Sequence, residues 1–570
     1  MDNIVTASDA AGAPGNGAEA AGSRIEAETE IERYADQGRC VAHIDGRVVF
    51  VRFALPGERV RILIDEPHNR KDRFWTGEVI EVITASPDRV EPVWPLAGPL
   101  AWGGGVGGAD LVHVSRQGQL AWKQAVISEQ MKRLGHIDVS VPVSPAPGDE
   151  EEGGLHWRTR LDLIANRNGH LSMRRRESHT RVALDGMPLA SQQLCSIAEY
   201  HGLWFHPFDP DDHIRISAPE PRPGDPGLIE SGNYAVLVNG EALYGRRELT
   251  ERVILDNRAD FTYHVDAEGF WQMHRMAPEM LAGTALKEIA DAGADKARVI
   301  WDLYSGSGLF TLPIAALYPH AEILSVEGAP AAVRNARRNL KEAGADNVTV
   351  LEGDVVKVLR SLGNTARSRL THPDIILLDP PRSGAGRRAC EQISKTGAHS
   401  IIYISCNPAS LARDTAYLLD SGYTLDSIYA HDIYPMTHHV ETVVLLSHKA
   451  PDSHINVKVE FGEGKGKVPL DKIAERAEKY KPKEKVTYKK IKEYIEEKYG
   501  FKVHTAYIAE VKRAFGLPMY DAPNAVEKLK NRKAHPTKDK VRAITDALIH
   551  FELISKKEAS AVKIAHLSAI

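Results

Sequence analysis

Short runs of branched apolar residues alternate with amphipathic stretches from about residue 277 to residue 448. Five of the runs, ARVIWDLYSG, AEILSVEG, VTVLEGD, PDIILLDPP and HSIIYISCNP, predict buried strands, and stretches such as APAAVRNARRNLKEAGA predict helices between them. Apolar strands that alternate with helices are typical of a parallel sheet covered on both faces. We therefore predict an α/β domain over residues 275–450, with VETVVLLSH as its last strand.

The chain before this domain has a different pattern. Residues 1–27 are rich in Ala, Gly and Ser and predict disorder. Residues 28–92 alternate β-branched and polar residues, with turn signals at Asp45-Gly46 and Pro56-Gly57, which predicts a small β-barrel of the oligonucleotide-binding type or another small β-domain. Residues 93–274 mix a helical stretch with HWRTRLDLIAN and GHLSMRRRESH, which predict antiparallel strands in a central α+β domain.

The charge distribution changes near residue 450. The whole chain has a net charge of −5, but residues 451–570 hold 26 Lys and Arg against 17 Asp and Glu. Lysine replaces arginine as the main basic residue in this part of the chain. We predict a lysine-rich helical extension over residues 455–555, which either binds RNA or acts as a solubilising or protein-docking domain.

Several classes of protein are disfavoured by the composition. No apolar run is long enough to span a membrane, and the start MDNIVTASDAAG does not resemble a secretory signal. The four cysteines show no CxxC spacing, which predicts a cytosolic protein without disulfides and without a metal site. They are Cys40, Cys195, Cys390 and Cys406.

Acidic residues stand at the carboxyl ends of the predicted strands. The first strand contains Asp302 and leads into a glycine turn at Gly306 and Gly308, and the next three end near Glu327, Asp354 and Asp379. Open α/β sheets bind ligands at this edge. A single acid at such a position could equally be a helix cap or part of a solvated loop instead of a cofactor contact. A G-x-G turn alone would also fit a nucleotide-binding dehydrogenase. The acids together, with the Asp-Pro-Pro turn, favour S-adenosylmethionine over NAD.

Cys406 follows the fifth strand, on a turn formed by Asn407-Pro408 before a predicted helix. A helix N-terminus favours the thiolate form of cysteine, although most cysteines are buried structural residues. A thiolate beside a methyl donor can add to carbon 6 of uracil and make carbon 5 nucleophilic. A base must then remove the proton from carbon 5, and Glu441 in HHVETVVLL is the candidate. The other three cysteines have no such setting.

The motifs DLYSGSGLFTLP, DPPRSG, SCNPASLARD and HVET resemble those of the RNA uracil-5-methyltransferases, over about residues 28–448. The resemblance implies a TRAM barrel that binds RNA, a Rossmann-like class I methyltransferase domain, Cys406 as nucleophile and Glu441 as base. It also implies cofactor contacts, which carry over to Gln272, Tyr304, Glu327, Asp354 and Asp379. The TRAM domain favours 23S ribosomal RNA over transfer RNA as substrate, and we expect a monomer.

The chain departs from this family in two places. Many relatives hold an iron–sulfur cluster on four cysteines, but PVWPLAGPLAWGGGVGGAD has no cysteine and Met187 stands at the fourth position. We therefore expect no cluster. The usual asparagine of the F-x-Q-x-N pattern is His274, which puts a substrate or cofactor contact in doubt.

Arginines of the central domain are candidates for contacts with RNA phosphates, or else belong to a solvated strand. They are Arg158, Arg160, Arg174, Arg175 and Arg176. Two other functions stay open. An RNA cytosine-5-methyltransferase would want a second cysteine where Arg382 stands, and a non-catalytic RNA-binding factor would have no need of Cys406 and Glu441.

Overall fold

A computed structural model describes residues 25–65, 72–176, 178–363, 369–448, 488–515, 536–551 and 553–554. The predicted disorder of residues 1–24 lies outside these ranges. Residues 26 and 27 correct that prediction, because the first strand already begins at Glu26. The chain divides into two compact units, Met1–Ile455 and Asn456–Ile570, close to the predicted change in composition.

The first sheet contains six strands in the order β1-β5-β6-β4-β3-β2. The strands are β1 (Glu26–Glu30), β2 (Arg33–Tyr34), β3 (Arg39–Ile44), β4 (Arg47–Arg52), β5 (Arg59–Ile64) and β6 (Phe74–Thr84). The predicted Asp45-Gly46 turn joins β3 to β4, and both of its residues have positive φ, at 49° and 77°. Such a turn matches the twist of the two antiparallel strands that it connects.

A second six-stranded sheet and a hairpin follow. The helices and strands of this part are α1 (Arg116–Leu134), β7 (Val143–Pro145), β8 (Arg160–Ala165), β9 (Leu171–Arg174), β10 (Arg181–Ala183), α2 (Gln192–Tyr200), β11 (His213–Ser217), α3 (Leu228–Ser231), β12 (Ala235–Val238), β13 (Glu241–Gly245), β14 (Glu248–Ile254) and β15 (Asp260–Asp266). The second sheet has the order β10-β9-β8-β11-β12-β13, and β8 and β9 form the predicted antiparallel pair. Strands β14 and β15 pair with each other.

The last part of the first unit alternates helices and strands. They are α4 (Ala277–Asp291), β16 (Val299–Leu303), α5 (Thr311–Leu317), β17 (Glu322–Glu327), α6 (Pro330–Glu342), β18 (Val348–Glu352), α7 (Val355–Gly363), β19 (Ile375–Leu378), α8 (Gly386–Lys395), β20 (Ser400–Ser405), α9 (Pro408–Asp420), β21 (Tyr423–Asp432) and β22 (Glu441–His448). The sheet order is β18-β17-β16-β19-β20-β22-β21-β7. Every residue of β16, β19 and β20 is buried, as a sheet with both faces covered requires.

The prediction of an all-parallel sheet is wrong at its end. Strands β16 to β20 are parallel, but β22 runs antiparallel to both β20 and β21. Strand β21 was not among the predicted strands. A short loop, residues 433–440, joins β21 to β22, and a connection of this length permits only an antiparallel pair. The reversal brings the start of β22 to the carboxyl end of β20.

The second unit contains three described helices, α10 (Tyr488–Tyr499), α11 (Thr505–Ala514) and α12 (Lys538–His550). The described residues of the extension are thus helical, as predicted for residues 455–555. Buried aliphatic side chains such as Ile491, Ile508 and Ile544 form a core of its own. No helix in the described part of the chain is long and apolar enough to cross a membrane.

Candidate active site

The carboxyl end of β20 and the start of β22 bring Cys406 and Glu441 together. Ser405 pairs with Thr442 across the two antiparallel strands, and the Thr442 hydroxyl donates to the Ser405 carbonyl oxygen at 2.9 Å. Cys406 follows Ser405 and Glu441 precedes Thr442, so the two candidate residues lie directly beyond the last pair of this ladder. The Cys406 side chain is half-buried and that of Glu441 is buried.

Asp379 lies at the same edge, directly after β19. Its backbone N–H donates to the Leu303 carbonyl oxygen at 3.2 Å, which fixes the turn beside the end of β16. Burial, and then the charges of Asp302 and Glu327, raise the pKa of Asp379 to about 7. Burial, and then the charge of Asp379, raise the pKa of Glu441 well above its ordinary value. Carboxylates close enough to raise one another's pKa favour a cationic ligand between them.

The thiol of Cys406 is not activated in the way that its helix position predicts. Burial, and then the charges of Glu441 and Asp379, raise its pKa to about 12. The Asn407 side chain accepts hydrogen bonds from the backbone N–H groups of Ala409 and Ser410, at 2.9 and 3.1 Å. These amides lie in the first turn of α9 and have no partner within the helix. The first amides of α9 are therefore bonded to Asn407 and do not point at the thiol. The charges of Glu441 and Asp379 have a larger effect on the thiol than the helix dipole.

Arg382 opposes these acids and was not among the predicted site residues. Its positive charge lowers the pKa of both Cys406 and Glu441, although burial has the larger effect on each. The exposed guanidinium lies 2.8 Å from Nδ1 of His439. Burial, and then the charges of His438 and Arg382, lower the pKa of His439 to about 3, so its ring is neutral. Arg382 is the arginine of the DPPRSG motif, but an arginine after a turn does not by itself predict a role at an active site.

The glycine turn after β16 is open on the ligand side. Tyr304 and Gly306 have positive φ, at 63° and 55°, and a side chain at Gly306 would meet nothing within 4 Å. Glu327 accepts from the backbone N–H groups of Gly306 and Ala329, at 2.9 and 2.7 Å. The turn and Glu327, one of the predicted cofactor residues, are therefore held together, and Gly306 leaves its backbone open to a ligand.

Asp302 lies below this turn and is fully buried. One of its oxygens accepts a hydrogen bond from the Thr311 hydroxyl, and the other has no hydrogen-bond partner. Burial raises the pKa of Asp302 to about 7. The hydrogen bond from Thr311 lowers this pKa, and the charge of Glu327 raises it. An orphaned buried carboxylate oxygen and an open backbone turn fit a ligand that carries hydroxyl groups and a positive charge, as S-adenosylmethionine does.

The other predicted cofactor residues lie around the same turn. Asp354 is exposed and accepts from the Lys357 N–H at 3.0 Å, so it caps α7 as a lone acid often does. Tyr304 is half-buried, and burial followed by the charge of Asp354 raises its pKa to about 12. Gln272 is buried beside Trp271, which packs in one core with Leu309 and Phe310 after the glycine turn.

The predicted phosphate-binding arginines do not form one surface. Arg160 is buried and pairs with Glu251 at 2.7 Å, so it is not available to RNA, which corrects that prediction. Arg176 is held by Glu78 at 3.2 Å and by three backbone carbonyl oxygens. Arg158 and Arg175 are half-buried, and of the five Arg174 alone is exposed.

His274 is part of a buried network and not a free contact residue. It lies 2.9 Å from Asp149, neither side chain is exposed, and its ring stacks on Trp157 with 5.7 Å between the centroids. Its Nδ1 accepts from the Met276 N–H at 3.0 Å. The structure therefore gives His274 a positioning role for the segment that carries Gln272.

The segment that holds cluster cysteines in many relatives is organised here by Arg176. The guanidinium donates to the carbonyl oxygens of Ala97, Gly98 and Val106 at 2.8 to 2.9 Å. Met187, at the fourth cysteine position, is buried in the adjacent core. Among the described residues, no group of His, Cys, Asp and Glu could hold a metal ion. These residues do not fit an iron–sulfur cluster.

Comparison with known proteins agrees with this geometry. Residues 243–449 match the family described as tRNA (Uracil-5-)-methyltransferase, and residues 22–80 match the TRAM domain. An uncharacterized RNA methyltransferase of Bifidobacterium longum is 56% identical over 74% of this chain and 97% of its own length. A 23S rRNA (uracil(1939)-C(5))-methyltransferase of Halomonas elongata is 31% identical over 76% of this chain and 91% of its own length.

A solved structure shares the fold. The tRNA (uracil-54, C5)-methyltransferase of Pyrococcus abyssi, solved with S-adenosyl-L-homocysteine, aligns with a TM-score of 0.50 and 20% identity. The alignment covers 73% of this chain and 99% of that protein. The predicted enzyme class, TRAM domain and cofactor S-adenosylmethionine are confirmed by these matches together. The chain belongs to the RNA uracil-5-methyltransferase family.

Proposed function

We propose that this enzyme methylates carbon 5 of a uridine in 23S ribosomal RNA through a covalent adduct on Cys406. The observation that carries the proposal is the cross-strand placement of Cys406 and Glu441 beside Asp379. The named activity of the Halomonas elongata relative and the TRAM match support ribosomal RNA. The cytoplasmic location and the monomeric state are part of this proposal and stay predictions.

Each residue has a distinct part in the reaction. Cys406 gives up its proton to water, and its sulfur adds to carbon 6 of the uracil, which moves electron density to carbon 5. Bound S-adenosylmethionine supplies the methyl group and a positive charge. Asp379 offers that charge a carboxylate, while Glu327 and the turn at Gly306 offer acceptors and backbone to the rest of the cofactor.

Glu441 completes the reaction. After carbon 5 has taken the methyl group, it still carries its proton, and the Glu441 carboxylate removes it. The electron pair of that C–H bond forms the carbon 5–carbon 6 double bond again, and the Cys406 thiolate leaves. Because the pKa of Glu441 is raised by burial and by Asp379, its carboxylate is a stronger base than an exposed one.

The test is methylation of unmodified RNA. The purified protein is incubated with S-adenosylmethionine and either ribosomal or transfer RNA lacking modifications, and the digested nucleosides are identified by mass spectrometry. We expect 5-methyluridine in ribosomal RNA with the wild type and with Cys195→Ala, whose half-exposed thiol lies outside the site, and none with Cys406→Ala. Product in transfer RNA alone would overturn the proposal of ribosomal RNA as substrate. Formation of 5-methylcytidine would overturn the proposal of uracil as the methylated nucleobase.

A further inference from the structure

The second unit carries two lysines that lie against aromatic rings instead of carboxylates. The Lys512 ammonium of α11 is 5.3 Å from the centroid of the Tyr488 ring at the start of α10. The Lys540 ammonium of α12 is 5.4 Å from the centroid of the Tyr507 ring on α11. Both distances are within the range of cation–π attraction. Neither lysine forms an ion pair with a carboxylate in the described part of the chain.

The two pairs lie on opposite edges of α11. Ile508 and Val511 form the buried side of this helix. Tyr507 directly precedes Ile508, Lys512 directly follows Val511, and successive residues of a helix are turned by about 100°. Tyr507 and Lys512 therefore flank the buried side, one on each edge, and both side chains are half-buried. One ammonium group held against a ring thus borders each edge of α11.

A ring and a carboxylate have different effects on a lysine. An aromatic ring restricts the ammonium group but leaves its charge, whereas a carboxylate neutralises that charge. Lys498 lies over the Tyr494 ring but is also 2.7 Å from Asp546. Lys502 is 3.2 Å from Glu496. In contrast to these two, the lysines at the edges of α11 keep their positive charge for a ligand from outside the unit.

The ligand that such a surface fits is a polyanion. Residues 451–570 hold 26 Lys and Arg against 17 Asp and Glu, so this part of the chain attracts negative charge. A lysine is a compact point charge, which suits phosphate oxygens and does not read base edges as the fork of an arginine does. Because the chain belongs to a family of RNA-modifying enzymes, RNA is the polyanion that it must hold.

We propose that the edges of α11 form an RNA-binding surface, on which Lys512 and Lys540 each contact a backbone phosphate of the substrate RNA. The two tyrosines restrict the ammonium groups beforehand, which lowers the entropy lost when each group binds a phosphate. The surface adds affinity without reading the sequence, since phosphate contacts carry no base information. This inference goes beyond the proposed function, because it does not depend on which base is methylated.

The test is the binding of the full-length enzyme to unmodified ribosomal RNA. The dissociation constant is measured from about 50 to about 200 mM salt for the wild type and for a double variant with Lys512→Gln and Lys540→Gln. The matched control carries Lys498→Gln and Lys502→Gln, which removes two charges from the same unit where carboxylates neutralise them. A third protein with Lys512→Arg and Lys540→Arg keeps both charges. Melting temperatures show whether each variant is folded.

We expect the double variant at Lys512 and Lys540 to bind RNA about 10-fold more weakly near 150 mM salt, with a salt dependence of log K that is smaller by about 2. The control and the arginine variant should bind as the wild type does. Each single glutamine variant should show about half of the change in salt dependence, which keeps the test decisive if the double variant does not fold.

Three results would overturn the inference. Equal weakening in the control would show that total charge, and not this surface, is responsible. An unchanged salt dependence, or weak binding by the arginine variant, would show that the lysines do not contact phosphates. Competition by duplex DNA as strong as that by the ribosomal RNA would show that RNA is not the partner of this surface.

This outcome is separable from that of the proposed function, because binding is measured without methyl transfer. An enzyme that binds RNA through these lysines and forms no 5-methyluridine would refute the proposed function alone. If the wild type forms 5-methyluridine and the double variant at Lys512 and Lys540 binds RNA as tightly as the wild type, the inference alone is wrong.

Discussion

Cys406 and Glu441 flank one cross-strand pair, Ser405 and Thr442, at the point where β20 and β22 end and begin. They are far apart in sequence and adjacent in the sheet because β22 runs antiparallel to β20. The proposed nucleophile thus follows directly on buried strand β20, and the proposed base is the first residue of the strand paired with it. Small changes in substrate position then decide the rate more than changes in the distance between the two groups.

Replacing the base should separate the two halves of the reaction. In Glu441→Gln the sulfur can still add and carbon 5 can still take the methyl group, but the carbon 5 proton stays. We expect turnover to fall by about 100-fold to 10,000-fold and a covalent RNA–protein complex to accumulate on a denaturing gel. Glu391→Gln, on the exposed face of α8, serves as control. A variant that neither turns over nor forms the complex would assign Glu441 to an earlier step.

The pH–rate profile should depend on Arg382. Burial, with Glu441 and Asp379, raises the pKa of the Cys406 thiol to about 12, and Arg382 opposes this. The thiolate fraction therefore rises with pH through the neutral range, and so does the rate. Removing the cation in Arg382→Gln should raise the thiol pKa further, lower the rate at pH 7.5 and move the rising limb to higher pH. Arg387→Gln, whose partner is Glu391, should leave the profile unchanged.

Asp302 should make the free protein less stable as the pH rises. Burial raises its pKa from 3.8 to about 7, so the folded state binds a proton that the unfolded state has lost. Stability from this group is fully present below about pH 4 and is lost as the pH rises towards 7, by at most about 1.4 kcal/mol per pH unit. The melting temperature of Asp302→Asn, followed from pH 5 to 8, should fall less than that of the wild type. Parallel curves would contradict the raised pKa.

Arg176 should be a main stabilising residue of the segment without cysteines. Arg176→Lys loses the planar fork that reaches three carbonyl oxygens and Glu78, and a lysine cannot satisfy them all. We expect a loss of about 3 kcal/mol in the free energy of unfolding, measured by chemical denaturation. Arg174→Lys, on the exposed end of β9, is the control and should change it by less than about 0.5 kcal/mol. Equal stability of the two variants would contradict this role.

The sequence predicted the elements of the methyltransferase domain because its strands are continuous apolar runs, a local signal. Strand β22 was predicted, but its antiparallel direction and strand β21 were not, because strand direction depends on pairing partners and loop length. The pairing of Ser405 with Thr442, which brings Cys406 near Glu441, therefore depends on the tertiary structure. The role of each was inferred from chemistry, before their adjacency could be seen.

The residues of the site were easier to predict from the sequence than their pKa shifts and ion pairs. The helix after Cys406 predicts a lowered thiol pKa, but Asn407 accepts hydrogen bonds from the first amides of that helix, and burial, Glu441 and Asp379 raise the thiol pKa. Arg160 lies on a predicted strand like its neighbours, and only the fold shows that it points at Glu251. Arg382 had no distinct sequence signal, because only the residues around it in the fold show its role.

The most direct test of the account is the site of covalent attachment. RNA carrying 5-fluorouridine at the target position is incubated with the enzyme and S-adenosylmethionine, and the trapped complex is digested and mapped by mass spectrometry. Fluorine at carbon 5 cannot be removed by a base, so the account predicts a methylated fluorouridine bonded to the sulfur of Cys406. Attachment to another residue, or full methylation of ordinary RNA by Cys406→Ala, would contradict it.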